Sequence, residues 1–296
     1  MEISTEEVSL GGSGLSIERP AVYVVATPIG NLADITLRAL DVLRAVDFIL
    51  CEDTRHSRVL MQQYAIGTSL RSHHEHNERS LAAEVIELLR DGRKACALIS
   101  DAGTPLISDP GHSLIVAAAA ADIPVFSVPG ACAAIAALSI SALPVSRFVF
   151  EGFLPTSAGA RQRRLESLSD EARTMIFYEA PHRVRKTLED MSRVFGEERK
   201  ITVAREMTKR FESLYAMTLG EMSERFRKEP EIVRGEFVIL LEGSAVSAGL
   251  VSRERLLKSL AKHLEPRAGM TLARELTGLS RNELYRYFHD LEPGRD

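Results

Sequence analysis

Carboxylates, imidazoles and guanidinium groups cluster at several places in this chain of 296 residues, and each cluster restricts the chemistry open to it. Glu52, Asp53 and Arg55 follow an apolar run, where they form either an internal ion pair or a contact to a bound substrate. His73, His74, Glu75, His76 and Asn77 are a dense polar group, with His74 and His76 on one side of an extended segment. A zinc or iron site there needs one or two further donors, and no second His or Cys pair stands at ligand spacing. The segment therefore reads as a loop that contacts substrate or holds the structure, with no metal. Arg161, Arg163 and Arg164, then Arg183, Arg185 and Lys186, put two basic faces into one stretch of a protein whose formal net charge is −4. Such segregation suits an anionic partner met by a local surface and not by the field of the whole molecule.

The stretch that organises these groups is ISDAGTPLISDPG, Ile99 to Gly111. It leaves the apolar run Ala95 to Ile99 and enters the Ala-rich helical pattern Ser113 to Ala121, so it is the loop at the carboxyl end of a buried strand, where ligands of open α/β sheets settle. Gly103 and Gly111 permit positive φ while Pro105 and Pro110 fix it, so the loop is preset and loses little entropy on binding. Two further strand ends belong beside it. Val22 to Ala26 ends in Thr27-Pro28-Ile29-Gly30-Asn31, and Val125 to Val128 ends in Pro129-Gly130-Ala131-Cys132-Ala133, whose free amides either hold an anion or simply allow tight packing. Three strand ends converging on one crevice make a ligand site.

Strands and helices alternate through the first half: Phe48 to Cys51, Ser57 to Gln63, Ser69 to Ser72, Ser80 to Arg90, and a helix from Ala131 to Ala142. That order implies a mostly parallel sheet covered by helices in a first domain, 21–152. Thr174 to Tyr178, Ile201 to Arg205, Ser213 to Thr218 and Glu236 to Glu242 are strands of a second α/β domain, 153–243, with some antiparallel pairing because the connections are short. Residues 250–296 carry short helical patterns arranged as helix, turn, helix, which makes either a helix-turn-helix appendage or a packed helix pair. Residues 1–20 are acidic and Gly/Ser-rich, a loose tail with neither a secretory nor a transit pattern. No apolar run approaches the roughly 18 residues that span a bilayer. Cys51, Cys96 and Cys132 are odd in number and set among apolar neighbours, as suits reduced thiols in a cytoplasm. Phosphate-loop and dinucleotide glycine fingerprints are absent.

Six ordered motifs carry a resemblance: VATPIGNLADITLRA (Val25 to Ala39), CEDTRHSRVL (Cys51 to Leu60), HEHNE (His74 to Glu78), SDAGTPLISDPG, VPGACA (Val128 to Ala133) and FYEAPHR (Phe177 to Arg183). In these the chain resembles the tetrapyrrole methylase superfamily of S-adenosylmethionine enzymes. Where tetrapyrrole enzymes typically carry GPGD and GDP, this chain has PIGN and GTP, which favours the superfamily's ribosomal RNA branch. The resemblance implies two α/β domains with the cofactor in the cleft between them, a homodimer, and methylation of a cytidine ribose 2′-hydroxyl in the decoding centre of 16S ribosomal RNA. Matched motif to motif, it puts cofactor contacts on Ile29, on Ala102, Gly103, Thr104 and Ile107, on Cys132 and Ala133, on Glu179 and Ala180, and on Met207. A carboxylate or imidazole would take the proton of the ribose hydroxyl, the candidates being Asp101, His74, Asp53 and Glu179. Substrate contacts are expected from Arg55, His76, Asn77, Arg161, Arg163, Arg164, Arg183 and Arg185, the arginines on phosphates. Rival readings are a small-molecule methyltransferase of the same superfamily and a nucleic-acid-binding protein built on its carboxyl-terminal helices.

Overall fold

Short runs of buried apolar residues form a parallel sheet from β1 (Ala21–Val25), β2 (Phe48–Cys51), β3 (Ser69–Ser72), β4 (Ala95–Leu98) and β5 (Val125–Val128), in the order β3-β2-β4-β1-β5. Side chains of β1 alternate between its faces. Ala21, Tyr23 and Val25 pack with α1 (Leu37–Ala45) and α2 (Thr54–Gln63), whereas Val22 packs with α3 (Glu78–Gly92) and α4 (His112–Ala120). Helices on both faces account for β2 and β4 being apolar without alternation. Thr36 starts α1 by accepting the Ala39 N–H. The computed structural model describes residues 16–74, 78–244, 253–281, 284, 285 and 288. The first fifteen residues of the expected tail lie outside that set, as do 245–252.

The second sheet contains β6 (Phe148–Phe153), β7 (Thr174–Glu179), β8 (Lys200–Arg205), β9 (Ser213–Thr218) and β10 (Phe237–Leu241), ordered β6-β7-β10-β8-β9. Only β6 and β7 run parallel; the other pairs are antiparallel, as the short connections require. One face, with Met175, Phe177, Phe237 and Ile239, packs under α6 (Ala158–Ser167), α7 (Val184–Phe195) and α8 (Leu219–Lys228). Its other face, with Ile176, Val238 and Leu240, packs against α5 (Ala133–Ser139) and against Ile29 of the first half. That second cluster joins the two halves.

Two boundaries differ from expectation. β6 belongs to the second sheet, so the chain crosses between halves before Phe148 and not after 152. Its apolar pattern is broken by Glu151 and by Gly152 at φ +65°, where the register with β7 shifts. The helix expected from Ala131 to Ala142 is confined to Ala133–Ser139, because Cys132 stays extended as its N-cap, in the turn that faces the crevice. At the carboxyl end, α9 (Arg253–His263) and α10 (Pro266–Thr277) pack around Leu257, Ala273, Leu284 and Phe288, a small core of their own. Gly278, at φ +69°, ends α10 in the left-handed conformation expected of a helix stop.

Candidate active site

Three strand-end loops are stitched together at the join. Thr27 and Gly103 exchange backbone hydrogen bonds of 2.9 and 3.1 Å, and the Thr27 hydroxyl donates to the Ser100 carbonyl. Thr104 Oγ1 donates to the Ala131 carbonyl at 3.1 Å, which ties the central loop to the turn after β5. Gly130 lies so close to Ala26 that a Cβ there would come within 2.9 Å of the Ala26 methyl. The glycine of that turn is therefore needed for packing between loops. Within the central loop Gly103 and Gly111 take positive φ as expected, and Leu106 and Ser108 do so without being glycine, at +74° and +75°. Non-glycine residues held there store strain, a feature that clusters at binding sites.

The loop is also tethered from α3. Glu78 Oε1 accepts the N–H of Gly111 at 3.1 Å and of Ser113 at 2.7 Å, capping α4, whose own N-cap residue has no side chain. These amides hold the Glu78 carboxyl below the usual range, with burial opposing them. Glu78→Ala leaves two donors without their acceptor and should lower stability by about 1–2 kcal/mol in urea unfolding at neutral pH. Because the folded-state pKa is depressed, the wild-type contribution is complete above the ordinary carboxylate range and disappears as pH falls through the folded value. The two proteins should therefore converge in acid.

A cavity of about 570 Å³ opens where these loops meet β7, β8 and β10. All the residues expected at a cofactor line it: Ile29, Ala102, Gly103, Thr104 and Ile107, then Cys132 and Ala133, and from the second half Glu179, Ala180 and Met207. Asp101 is there too. The residues not foreseen are Ser108 and Asp109 of the central loop, Phe153 and Tyr178 at the ends of β6 and β7, Pro181 and His182, and Glu236, Phe237 and Val238 at the start of β10. Asp109 was legible as the second Ser-Asp of ISDAGTPLISDPG; Phe153 had no signal once β6 was missed. The Tyr178 hydroxyl accepts the Ala134 N–H at 3.1 Å, and its ring packs edge-on to Phe150 and Phe153.

The volume falls in the range of small-molecule and cofactor sites. Ala102, Gly103 and Ala133 let a ligand approach the backbone, and among the described residues no Lys or Arg side chain lines the space. Glu179 and Glu236 are matched by Arg183 and Lys209, while Asp101 and Asp109 have no ion-pair partner among the described residues. A cavity with this charge accepts a cationic ligand and opposes a phosphate. It fits an adenosyl sulfonium.

Other expected site residues fall elsewhere. Asp53 and His74 do not line the cavity. Asp53 caps α2, and Arg55 beside it holds its carboxyl down to about 2, a value that suits a cap and not a base. Glu179 lines the space, but its carboxylate accepts from Thr187 at 2.6 Å and from the Ala180 N–H, and pairs with Arg183. Two arginines are corrected. Arg161 is buried in an ion pair with Asp190, and Arg183 donates to the Leu154 and Pro155 carbonyls, so neither is free for phosphate. Arg164 is exposed but paired with Glu151; Arg55, Arg163 and Arg185 are exposed. His76 and Asn77 lie outside the described residues.

Residues 21–223 match the family of Tetrapyrrole (Corrin/Porphyrin) Methylases. The chain is 48% identical over 268 residues to the Pseudomonas aeruginosa protein named ribosomal RNA small subunit methyltransferase I, covering 89% of this chain and 95% of that one. It is 43% identical to the protein of the same name from Escherichia coli O157:H7, covering 90% and 93%. Among solved structures, uroporphyrin-III-C-methyltransferase from Thermus thermophilus superposes with a TM-score of 0.54 over 77% of this chain and 96% of that one, at 22% identity, a likeness of fold. This chain belongs to the tetrapyrrole methylase family and is a methyltransferase.

Proposed function

We propose that the chain uses S-adenosylmethionine to methylate the ribose 2′-hydroxyl of a cytidine in the decoding centre of 16S ribosomal RNA, within the small subunit, as a cytoplasmic homodimer. The observation that carries the substrate is the match, over about nine-tenths of the chain, to proteins named for small-subunit ribosomal RNA methylation. The cavity supports the cofactor, since its acidic lining suits a sulfonium and its small residues admit close approach.

When bound, the cofactor supplies a methyl group on a cationic sulfur that is already a good leaving group. The residues have then to hold, align and dry the site. Ala102, Gly103 and Thr104 present a backbone pinned on one side by Thr27 and on the other by Ala131. Ile29, Ile107, Met207 and Phe237 supply apolar walls that exclude water. Alignment of this kind supplies on the order of 7–11 kcal/mol of a barrier. No residue need change oxidation state or form a covalent bond.

The RNA would be held from outside the cavity by Arg55 on α2, Arg163 on α6 and Arg185 on α7, all exposed. Binding to small subunits should fall steeply with salt, and each of Arg163→Ala and Arg185→Ala should reduce the slope of log affinity against log salt by about 1 without changing stability. Methyl transfer to purified small subunits, followed by mass mapping of the nucleotide, tests the whole reading. Transfer to a tetrapyrrole precursor in place of RNA would refute it.

A further inference from the structure

The central loop brings two carboxyl groups to the cavity, and their surroundings differ. Asp101 Oδ1 accepts the Asp53 N–H at 3.3 Å, which ties it to the start of α2. Ser100, whose hydroxyl donates to the Gly103 carbonyl at 3.1 Å, stands beside Asp109 and favours its ionised form. The charges of Glu52, after β2, and of Asp101, on the loop after β4, act on it, and its own acts on Tyr178 of β7, while Glu179, His182 and Glu236 line the same cavity. Burial, then the like charges of Glu52 and Asp101, push the Asp109 carboxyl up to about 6 against the pull of Ser100.

On one loop after β4, Asp101 and Asp109 flank Ala102, Gly103, Thr104 and Ile107, which are assigned to the cofactor, and all of them line one cavity. Ile29 follows β1 and Ala133 follows β5, whereas Glu52 follows β2, on the far side of β4. Glu52 therefore reaches Asp109 from the side of β4 away from β1 and β5. Asp109 is also fixed in place. Ser108 before it sits at φ +75°, its hydroxyl lying 3.3 Å from where a Cβ on Gly152 would be. Gly111 after it is held by Glu78. A carboxyl positioned by a strained, doubly tethered backbone is preorganised toward the cavity.

We propose that Asp109 is the catalytic residue that accepts the proton of the attacking ribose hydroxyl, an inference that rests on the reading of the site given above. The hydroxyl oxygen bonds to the methyl carbon as the carbon–sulfur bond breaks, and that bonding pair stays on sulfur. The hydroxyl proton passes to the Asp109 carboxylate. A methyl ether, a neutral thioether and a neutral carboxylic acid result, with no other reactant needed. At neutral pH the group is ionised yet more basic than an ordinary aspartate, the compromise that proton transfer favours.

The test uses the full chain with 13C-carboxyl-labelled aspartate and the variants Asp109→Asn, Asp109→Glu and Asp101→Asn. One carboxyl carbon should titrate near pH 6, vanish in D109N and shift to lower pH in D101N, because a like charge has been removed. D109N should bind S-adenosylhomocysteine within about twofold of wild type by calorimetry. Its methyl transfer to small subunits should fall roughly 100- to 10,000-fold and lose the rise of rate through pH 6, with part of both restored in D109E. A D109N rate within about threefold of wild type, or no aspartate titrating above pH 5, overturns the assignment while leaving the methyltransferase reading intact. Wild-type protein that binds the nucleoside but modifies no RNA overturns both.

Discussion

Arg161→Ala should lower the free energy of unfolding by about 3–5 kcal/mol while leaving the salt dependence of RNA binding by the folded fraction unchanged. Arg161 opens the arginine-rich stretch of α6, yet its side chain is 6% exposed. Nε and Nη2 both reach Asp190 Oδ2 at 2.7 Å, and Nη1 donates to the Thr156 carbonyl at 3.3 Å. Asp190 lies on α7, so the pair ties α6 to α7 above the second sheet. Removing the guanidinium strands a carboxylate that is 12% exposed, with Arg193 the one cation left to meet it among the described residues. Urea unfolding of R161A, D190N and the double variant separates the coupling from the cost of the orphaned charge. Replacing both partners by apolar residues, as R161M/D190L, should recover most of the loss, because a buried pair gains little over well-packed hydrocarbon. A phosphate contact predicts the reverse pattern: unchanged unfolding and a shallower salt slope.

The sequence did contain the sign that Arg161 points inward. Leu165 and Leu168 follow it at i+4 and i+7, the spacing of one helix face, and both are buried. Charge type alone suggested a solvated surface; position on the apolar stripe decides otherwise. All ten residues expected at a cofactor came from matching motifs to the family, but the crevice that the seven of the first half share was legible for a different reason. Strand ends marked by Gly and Pro have a local signature, and parallel sheets gather such ends on one side. What those signatures could not show is which carboxylate of ISDAGTPLISDPG faces the cavity with a shifted proton affinity. That depends on positive φ at Leu106 and Ser108, residues whose type does not announce it, and on Glu52 from another strand. β6 escaped for a related cause, since Gly152 and its bulge interrupt the alternation that identifies a strand.

Ala133→Phe should weaken binding of S-adenosylhomocysteine at least about 100-fold, a change of about 2.7 kcal/mol, with little change in the melting temperature of the unliganded protein. Ala133 is the first residue of α5 and borders the cavity, half-buried, so an added ring enters space that a ligand must fill and not the packed interior. Its neighbour Ala134 supplies the control. Ala134 is 4% exposed and faces Ile176 and Val238 across the join between the halves, where a phenylalanine overpacks the core and costs about 1–3 kcal/mol with or without ligand. Thermal unfolding reads both effects. At ligand a hundredfold above its dissociation constant the wild type should gain about 2.7 kcal/mol, and A133F should gain almost nothing, because linkage stabilises only a protein that binds. A134F should start lower. Two adjacent substitutions of the same size would then differ in kind, one acting on the empty side of the α5 start and one on its packed side. Wild-type affinity in A133F would place the cofactor somewhere other than among these three loops.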